Sequence, residues 1–257
     1  VTSSPRNHPF SPLIVIPARL ASTRLPNKPL CDIGGMPMIV QVWRRAMEAD
    51  IAPVVVACDG QEIAAVIRDA GGVAVITDAD LPSGSDRVWQ AVCRADALEK
   101  HDIIINLQGD LPTLDPRLLP QLLVPLAQDE QGRADIVTLA AVITQEVERT
   151  ASSVVKPVIA LNHEKKQGRA LYFSRCCLPW GEGEIYHHIG IYAYRREALK
   201  RFVSLPPSPL ELREKLEQLR ALEAGMKIDC VIVDTVPLGV DTAEDLARAR
   251  SMIDASA

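Results

Sequence analysis

Short apolar runs alternating with helical patterns constrain this chain more than any other feature. The runs fall at residues 13–16, 54–58, 73–77, 103–107 and 136–143, and helical patterns at 36–49, 61–70 and 85–100 lie between the early ones. Runs this short and this rich in Val and Ile read as strands buried on both faces. In 36–49, Met36, Ile39, Val40, Trp43 and Met47 recur near helical spacing. Strand and helix in alternation predict a mostly parallel sheet flanked by helices, the α/β class. After about residue 145 the rhythm changes. Candidate strands at 154–161, 170–173 and 188–194 follow with no full helix between them, which predicts an inserted β-rich lobe at about 145–195 within a single α/β domain spanning 1–257.

The C-terminal third carries clear helix punctuation. Ser208, Pro209 and Glu211 predict the start of a long helix over 209–224, and Gly225 its end. A strand at 228–233 then precedes a final helix at about 242–253, opened by a capping box of Thr242 and Asp245.

With 257 residues the chain can bury a large core without disulfides. Its net charge of -5 excludes a general nucleic-acid or anionic-membrane binder, so local basic clusters read as sites. The six cysteines form no C-x-x-C pair, so neither a zinc pattern nor a secreted disulfide framework is expected. Residues 1–12 lack the apolar core of a signal peptide, and no apolar run approaches the length of a membrane span. The expectation is a cytoplasmic enzyme with neither nucleic acid nor membrane as partner.

Chemistry concentrates in a few places. The loop after the first strand carries Arg19, Arg24 and Lys28 among three prolines. Ligands of α/β sheets bind beyond the carboxyl ends of strands, and three cations on a stiffened loop there suit a polyphosphate. Gln108-Gly109-Asp110 follows the strand at 103–107. Asp110 is placed either to hold a metal ion or to bond its own turn. Asp241, just before the last helix, reads as a second metal carboxylate or as a cap. Ser83-Gly84-Ser85-Asp86-Arg87 opens a helix, either as a ligand-binding N-terminus or as a plain cap. Period-two spacing puts His188, Gly190, Tyr192 and Tyr194 on one strand face, polar enough to meet a ligand.

Taken in order, IPARLASTRLPNKPL (16–30), GGMPMI (34–39), SGSDR (83–87), NLQGDLP (106–112), ALYFSR (170–175), HIGIYAYR (188–195), SPLELREKLEQLRAL (208–222) and GVDTAEDL (239–246) span nearly the whole chain. In these segments it resembles the 3-deoxy-D-manno-octulosonate (Kdo) cytidylyltransferase, or CMP-Kdo synthetase, family. The resemblance implies a nucleotide-diphospho-sugar transferase type of mixed sheet with a small β-rich dimerisation lobe, and a homodimer. It implies transfer of CMP from CTP to the anomeric hydroxyl of Kdo, with release of pyrophosphate, for lipopolysaccharide biosynthesis. Arg19, Arg24 and Lys28 would neutralise the triphosphate. Asp110 and Asp241 would hold Mg²⁺ and so acidify the attacking hydroxyl. Ala18, Arg19, Ser22, Arg24, Lys28, Ser83, Gly84, Arg87 and Gln108 would bound the nucleotide. Gln108, Arg175, His188, Tyr192, Glu217 and Gln218 would meet the sugar.

Some positions depart from the usual family pattern. Leu111 stands where an acidic residue is common, Ser85-Asp86 for Thr-Glu, Cys58 for Thr, Asn27 for Gly and His187 for Arg. The phosphate loop and both carboxylates are kept, so these changes bear on which sugar is used. An 8-amino Kdo analogue or a sialic acid are the alternatives, with a catalytically silent nucleotide-binding protein as a third.

Overall fold

The computed structural model describes residues 10–21, 24–127, 134–164 and 166–255. The chain forms two compact units, Val1–Leu123 with Pro237–Ala257, and Val124–Val236. The first contains β1 (Pro12–Ala18), a single 3-10 turn at Lys28–Leu30, β2 (Asp32–Ile33), β3 (Met36–Pro37), α1 (Met38–Glu48), β4 (Val54–Cys58), α2 (Gln61–Asp69), β5 (Val73–Ile76), α3 (Gly84–Ala95), β6 (Ile103–Asn106), α4 (Leu118–Gln121) and the C-terminal helix Ala243–Asp254.

Four strands of this unit pair in the order β5-β4-β1-β6, all parallel, with Ile14 opposite Val54 and Val15 opposite Asn106. Every residue of β4 and β6 is buried, as continuous apolar runs require. The chain leaves β1 toward β4 on one side and later returns to β6 on the other. The ends of β1 and β6 therefore flank a topological switch point, where open α/β sheets leave a crevice.

Two early helices differ from their expected bounds. Helix α1 begins at Met38, because Met36–Pro37 pairs back onto Asp32–Ile33. Gly34 and Gly35, with φ of 61° and 79°, turn that hairpin in the left-handed region. Helix α3 stops at Ala95, short of residue 100. The Asp96 carboxylate accepts the N–H groups of Lys100 and His101 and bends the chain into a turn.

The second unit contains α5 (Val124–Ala127), β7 (Ile136–Val142), α6 (Glu146–Thr150), β8 (Lys156–Leu161), β9 (Gln167–Ser174), β10 (Tyr186–Arg195), α7 (Arg196–Ser204), α8 (Pro209–Glu214), α9 (Gln218–Glu223) and β11 (Ile228–Val233). Its strands run β10-β7-β11-β9-β8, with β7 and β11 parallel and the other pairs antiparallel. The strands expected in a lobe at about 145–195 are β8, β9 and β10, and they lie inside this larger unit.

The helix expected over 209–224 is two helices. Lys215 takes a left-handed φ of 56° and ends α8. Its carbonyl and that of Glu214 accept from Arg175, so a side chain takes up groups that a continuous helix would have used. Ser208 does open α8, with its N–H donating to Glu211 Oε2. Glu211 also receives Nε and Nη2 of Arg220.

Candidate active site

A cavity of about 350 Å³ lies at the switch point of the first unit. The end of β1 supplies Pro17, Ala18 and Arg19, and the turn after β6 supplies Gln108, Gly109 and Asp110. Ser83 and Gly84 at the start of α3, together with Arg24, Lys28 and Asp241, complete its polar lining. Gly109 is required where it stands: a Cβ there would meet the Pro17 carbonyl oxygen at 2.7 Å. A side chain would wedge the two strand ends apart.

Asp110 and Asp241 converge here, although they stand 131 positions apart in the chain. Main chain brings them together, since the Val240 N–H donates to the Asp110 carbonyl at 2.9 Å. Val240 is itself buried with Ile33, Met38, Leu246 and Ala249, which fixes the C-terminal helix beside the hairpin. The Thr242 and Asp245 capping box holds the helix start, and Asp245 Oδ2 also accepts the Asp241 N–H.

Between the carboxylates sits Lys28. Its Nζ donates to Asp110 Oδ2 at 2.8 Å and to Asp241 Oδ1 at 2.9 Å. Arg24 Nη2 lies 3.0 Å from Asp241 Oδ2. Burial pulls the Lys28 ammonium down, the Asp110 and Asp241 carboxylates push it up, and the carboxylates prevail, holding it above the ordinary lysine range. Arg19 lines the cavity as an exposed side chain. Asn27 takes the left-handed conformation with φ of 52°.

Other expected nucleotide residues divide by role. Ser83 caps α3, donating to Asp86 Oδ2 and accepting from the Asp86 N–H. Arg87 borders the cavity, but its guanidinium donates to Thr77 Oγ1 and to the carbonyls of Asp78 and Ala79. It braces the 77–79 turn. Gln108 donates Nε2 to Asn106 Oδ1 at 2.9 Å. Ser22 lies outside the described residues. Pro29, Leu81 and Pro82 also line the cavity and were not anticipated. Only their place between charged segments could have suggested them.

The expected sugar residues, Gln108 apart, lie in the second unit. His188, Tyr192 and Tyr194 share a face of β10 in a file of rings that runs from Phe173 to Phe202. His188 Nε2 is 3.0 Å from Thr138 Oγ1, whose hydroxyl can donate to the Ile191 carbonyl at 2.9 Å. Nε2 is then the protonated nitrogen of a neutral ring. Burial pulls the imidazole down to about 3, with His187 adding to the fall. Burial raises the Tyr192 phenol well above its ordinary value, and the Tyr194 and Glu217 charges add to it. Glu217 thus lies within electrostatic reach of Tyr192. Gln218 is buried at the start of α9.

Arg175 has a different surrounding from a free sugar ligand. Its Nε, Nη1 and Nη2 donate to the carbonyls of Glu214, Ser152 and Lys215. Glu214 answers with its carboxylate, which accepts Ser174 Oγ and the Arg175 N–H. Sequence reasoning passed over Glu214 and Lys156. Lys156 is wholly buried and donates Nζ to the carbonyls of Ala151 and Arg175.

Among the described residues no three His, Cys, Asp or Glu side chains cluster to hold a metal. The Asp110 and Asp241 pair still fits one. It already holds a cationic group between its oxygens, and Mg²⁺ is commonly bound by one or two carboxylates with substrate phosphates completing its shell.

Residues 13–228 match the cytidylyltransferase family. The chain is 64% identical over 242 residues to the 3-deoxy-manno-octulosonate cytidylyltransferase of Parvibaculum lavamentivorans, covering 94% of this chain and 92% of that one. To the protein of the same name from Rhodospirillum centenum it is 61% identical over 254 residues, covering 99% and 96%. A solved structure of a CMP:2-keto-3-deoxy-manno-octonic acid synthetase complexed with CTP matches with a TM-score of 0.87 at 38% identity, covering 96% of this chain and 100% of that one.

Proposed function

The chain belongs to the 3-deoxy-manno-octulosonate cytidylyltransferase family, and from that premise we propose that it transfers CMP from CTP to the anomeric hydroxyl of Kdo. The products are CMP-Kdo, for lipopolysaccharide biosynthesis, and pyrophosphate. The observation that carries this reading is the Lys28, Asp110 and Asp241 cluster in a cavity at the switch point.

In the reaction the sugar hydroxyl gives up its proton to water, its oxygen bonds to the α-phosphorus, the bond from that phosphorus to the bridging oxygen breaks, and pyrophosphate leaves. Arg19, Arg24 and Lys28 bind the triphosphate and balance the charge that gathers on the departing group. Ser83, Gly84 and the end of β1 bound the nucleotide. Among the described residues no histidine lines the cavity. Asp110 and Asp241 are the residues that would hold Mg²⁺. Bound there, the ion would lower the hydroxyl's pKa and fix the attacking geometry.

In the first unit, sugar recognition falls to Gln108 at the edge of the cavity. Tyr192 keeps its phenol proton and His188 stays neutral, so both act as hydrogen-bonding groups. Glu217 and Gln218 add acceptors and a donor. Arg175 contributes by fixing the corner that precedes them. The proposal extends to a cytoplasmic homodimer. No described helix is long and apolar enough to cross a membrane, and Leu171, Trp180 and Leu212 expose apolar surface on the second unit.

Pyrophosphate release from CTP and Mg²⁺ with Kdo, 8-amino Kdo or sialic acid tests the assignment. Release is expected with Kdo. Release with sialic acid and none with Kdo would overturn it. Sedimentation equilibrium tests the dimer.

A further inference from the structure

We infer that Lys28 is a resident counter-ion that a divalent cation must displace, so that metal and nucleotide enter this site as a pair. This role rests on the assignment of Asp110 and Asp241 as the metal carboxylates.

The carboxylates are already neutralised from within. Lys28 Nζ bridges an oxygen of each, at 2.8 and 2.9 Å, and Arg24 takes the remaining oxygen of Asp241 at 3.0 Å. Both cations come from the loop that is proposed to grip the triphosphate. The Lys28 side chain is 16% exposed against 67% for Arg24, so lysine holds the inner position. A divalent ion approaching the same oxygens meets an ammonium group within contact distance of them. Like charges so close, in a partly buried pocket, repel strongly.

Lysine can yield. It is a point charge on a flexible four-carbon stem, whereas its backbone is tied by the Leu25 carbonyl and the Cys31 N–H. It needs another anion to receive it. A triphosphate in the cavity supplies one, and Arg19 and Arg24 stand ready to share the load. Phosphate oxygens draw Lys28 away, and the uncovered carboxylates then take the cation that the nucleotide brings. Free metal alone must compete with the lysine and binds poorly. The two ligands therefore couple positively, beyond their affinity for each other.

Mn²⁺ is the probe, its free concentration read by electron paramagnetic resonance during titration of the full chain without nucleotide. Lys28→Gln is expected to bind Mn²⁺ at least about tenfold more tightly than wild type. Lys28→Arg, which keeps the charge, is expected to stay as weak as wild type. Adding Asp110→Asn to Lys28→Gln is expected to abolish the gain. Equal or weaker binding by Lys28→Gln would overturn the role, as would a gain that survives Asp110→Asn. Turnover of CTP with Kdo is scored separately on the wild type. Its failure would sink the proposed reaction and leave the Mn²⁺ comparison standing.

Discussion

The N–H of Val240 donates to the carbonyl of Asp110 at 2.9 Å, and this one main-chain bond sets the spacing of the two acidic side chains beside it. Because backbone does the positioning, either carboxylate can be altered without moving its neighbour.

Asp110→Asn should therefore lower kcat by roughly a hundredfold or more, since it removes charge where charge develops. The partly exposed carboxylate contributes little to folding, so unfolding free energy should change by no more than about 1 kcal/mol. Steady-state pyrophosphate release and urea unfolding read the two effects. Near-normal turnover would remove Asp110 from the chemistry.

Gly109→Ala should act through the fold first. The added methyl carbon would stand 2.7 Å from the Pro17 carbonyl oxygen, which belongs to backbone and cannot swing aside. Destabilisation of about 1–3 kcal/mol is expected, with weaker CTP binding because the strand ends part. A urea midpoint equal to wild type would show that the approach is looser than described.

His188 makes stability sensitive to acid. Its folded value near 3 lies below the ordinary 6.5, so the unfolded chain takes up a proton that the native protein refuses. Stability from this group is complete above pH 6.5 and falls as pH drops toward 3, by at most about 1.4 kcal/mol per pH unit. Between pH 7.5 and 5, His188→Gln should lose about 1–2 kcal/mol less than wild type. Equal losses would place the acid sensitivity in other groups.

Arg175→Lys should raise KM for the sugar about tenfold and leave CTP affinity unchanged, because an ammonium cannot serve three carbonyls in the plane of a guanidinium. Calorimetric CTP binding separates the two. Parallel loss of CTP affinity would mean that Arg175 supports the nucleotide instead.

How far the sequence could be read follows from the range of each interaction. The strands β1, β4 and β6 were plain because a strand buried on both faces is apolar almost throughout, Asn106 at the end of β6 being the exception. The Thr242 and Asp245 cap was plain because its partners are three residues apart. The break at Lys215 was hidden: Ser208, Pro209 and Gly225 describe a continuous helix well, and the interrupting donor is Arg175, 40 residues earlier. Arg87 was only half legible for the same reason. It follows a helix start that suits phosphate, but its guanidinium is held by a turn ten residues before it. The convergence of Asp110 and Asp241 needed Val240 to be seen bonding across the unit.

Lys28 precedes its partner Asp241 by 213 residues, which at ordinary translation rates is on the order of ten to forty seconds of synthesis. A nascent chain displays the basic loop early, can pair Lys28 with Asp110 first, and gains the second carboxylate only once Asp241 has left the ribosome. A product ending before Asp241 would lack that carboxylate and is expected to turn over CTP poorly, so completion of the cluster waits for the C-terminal part of the chain.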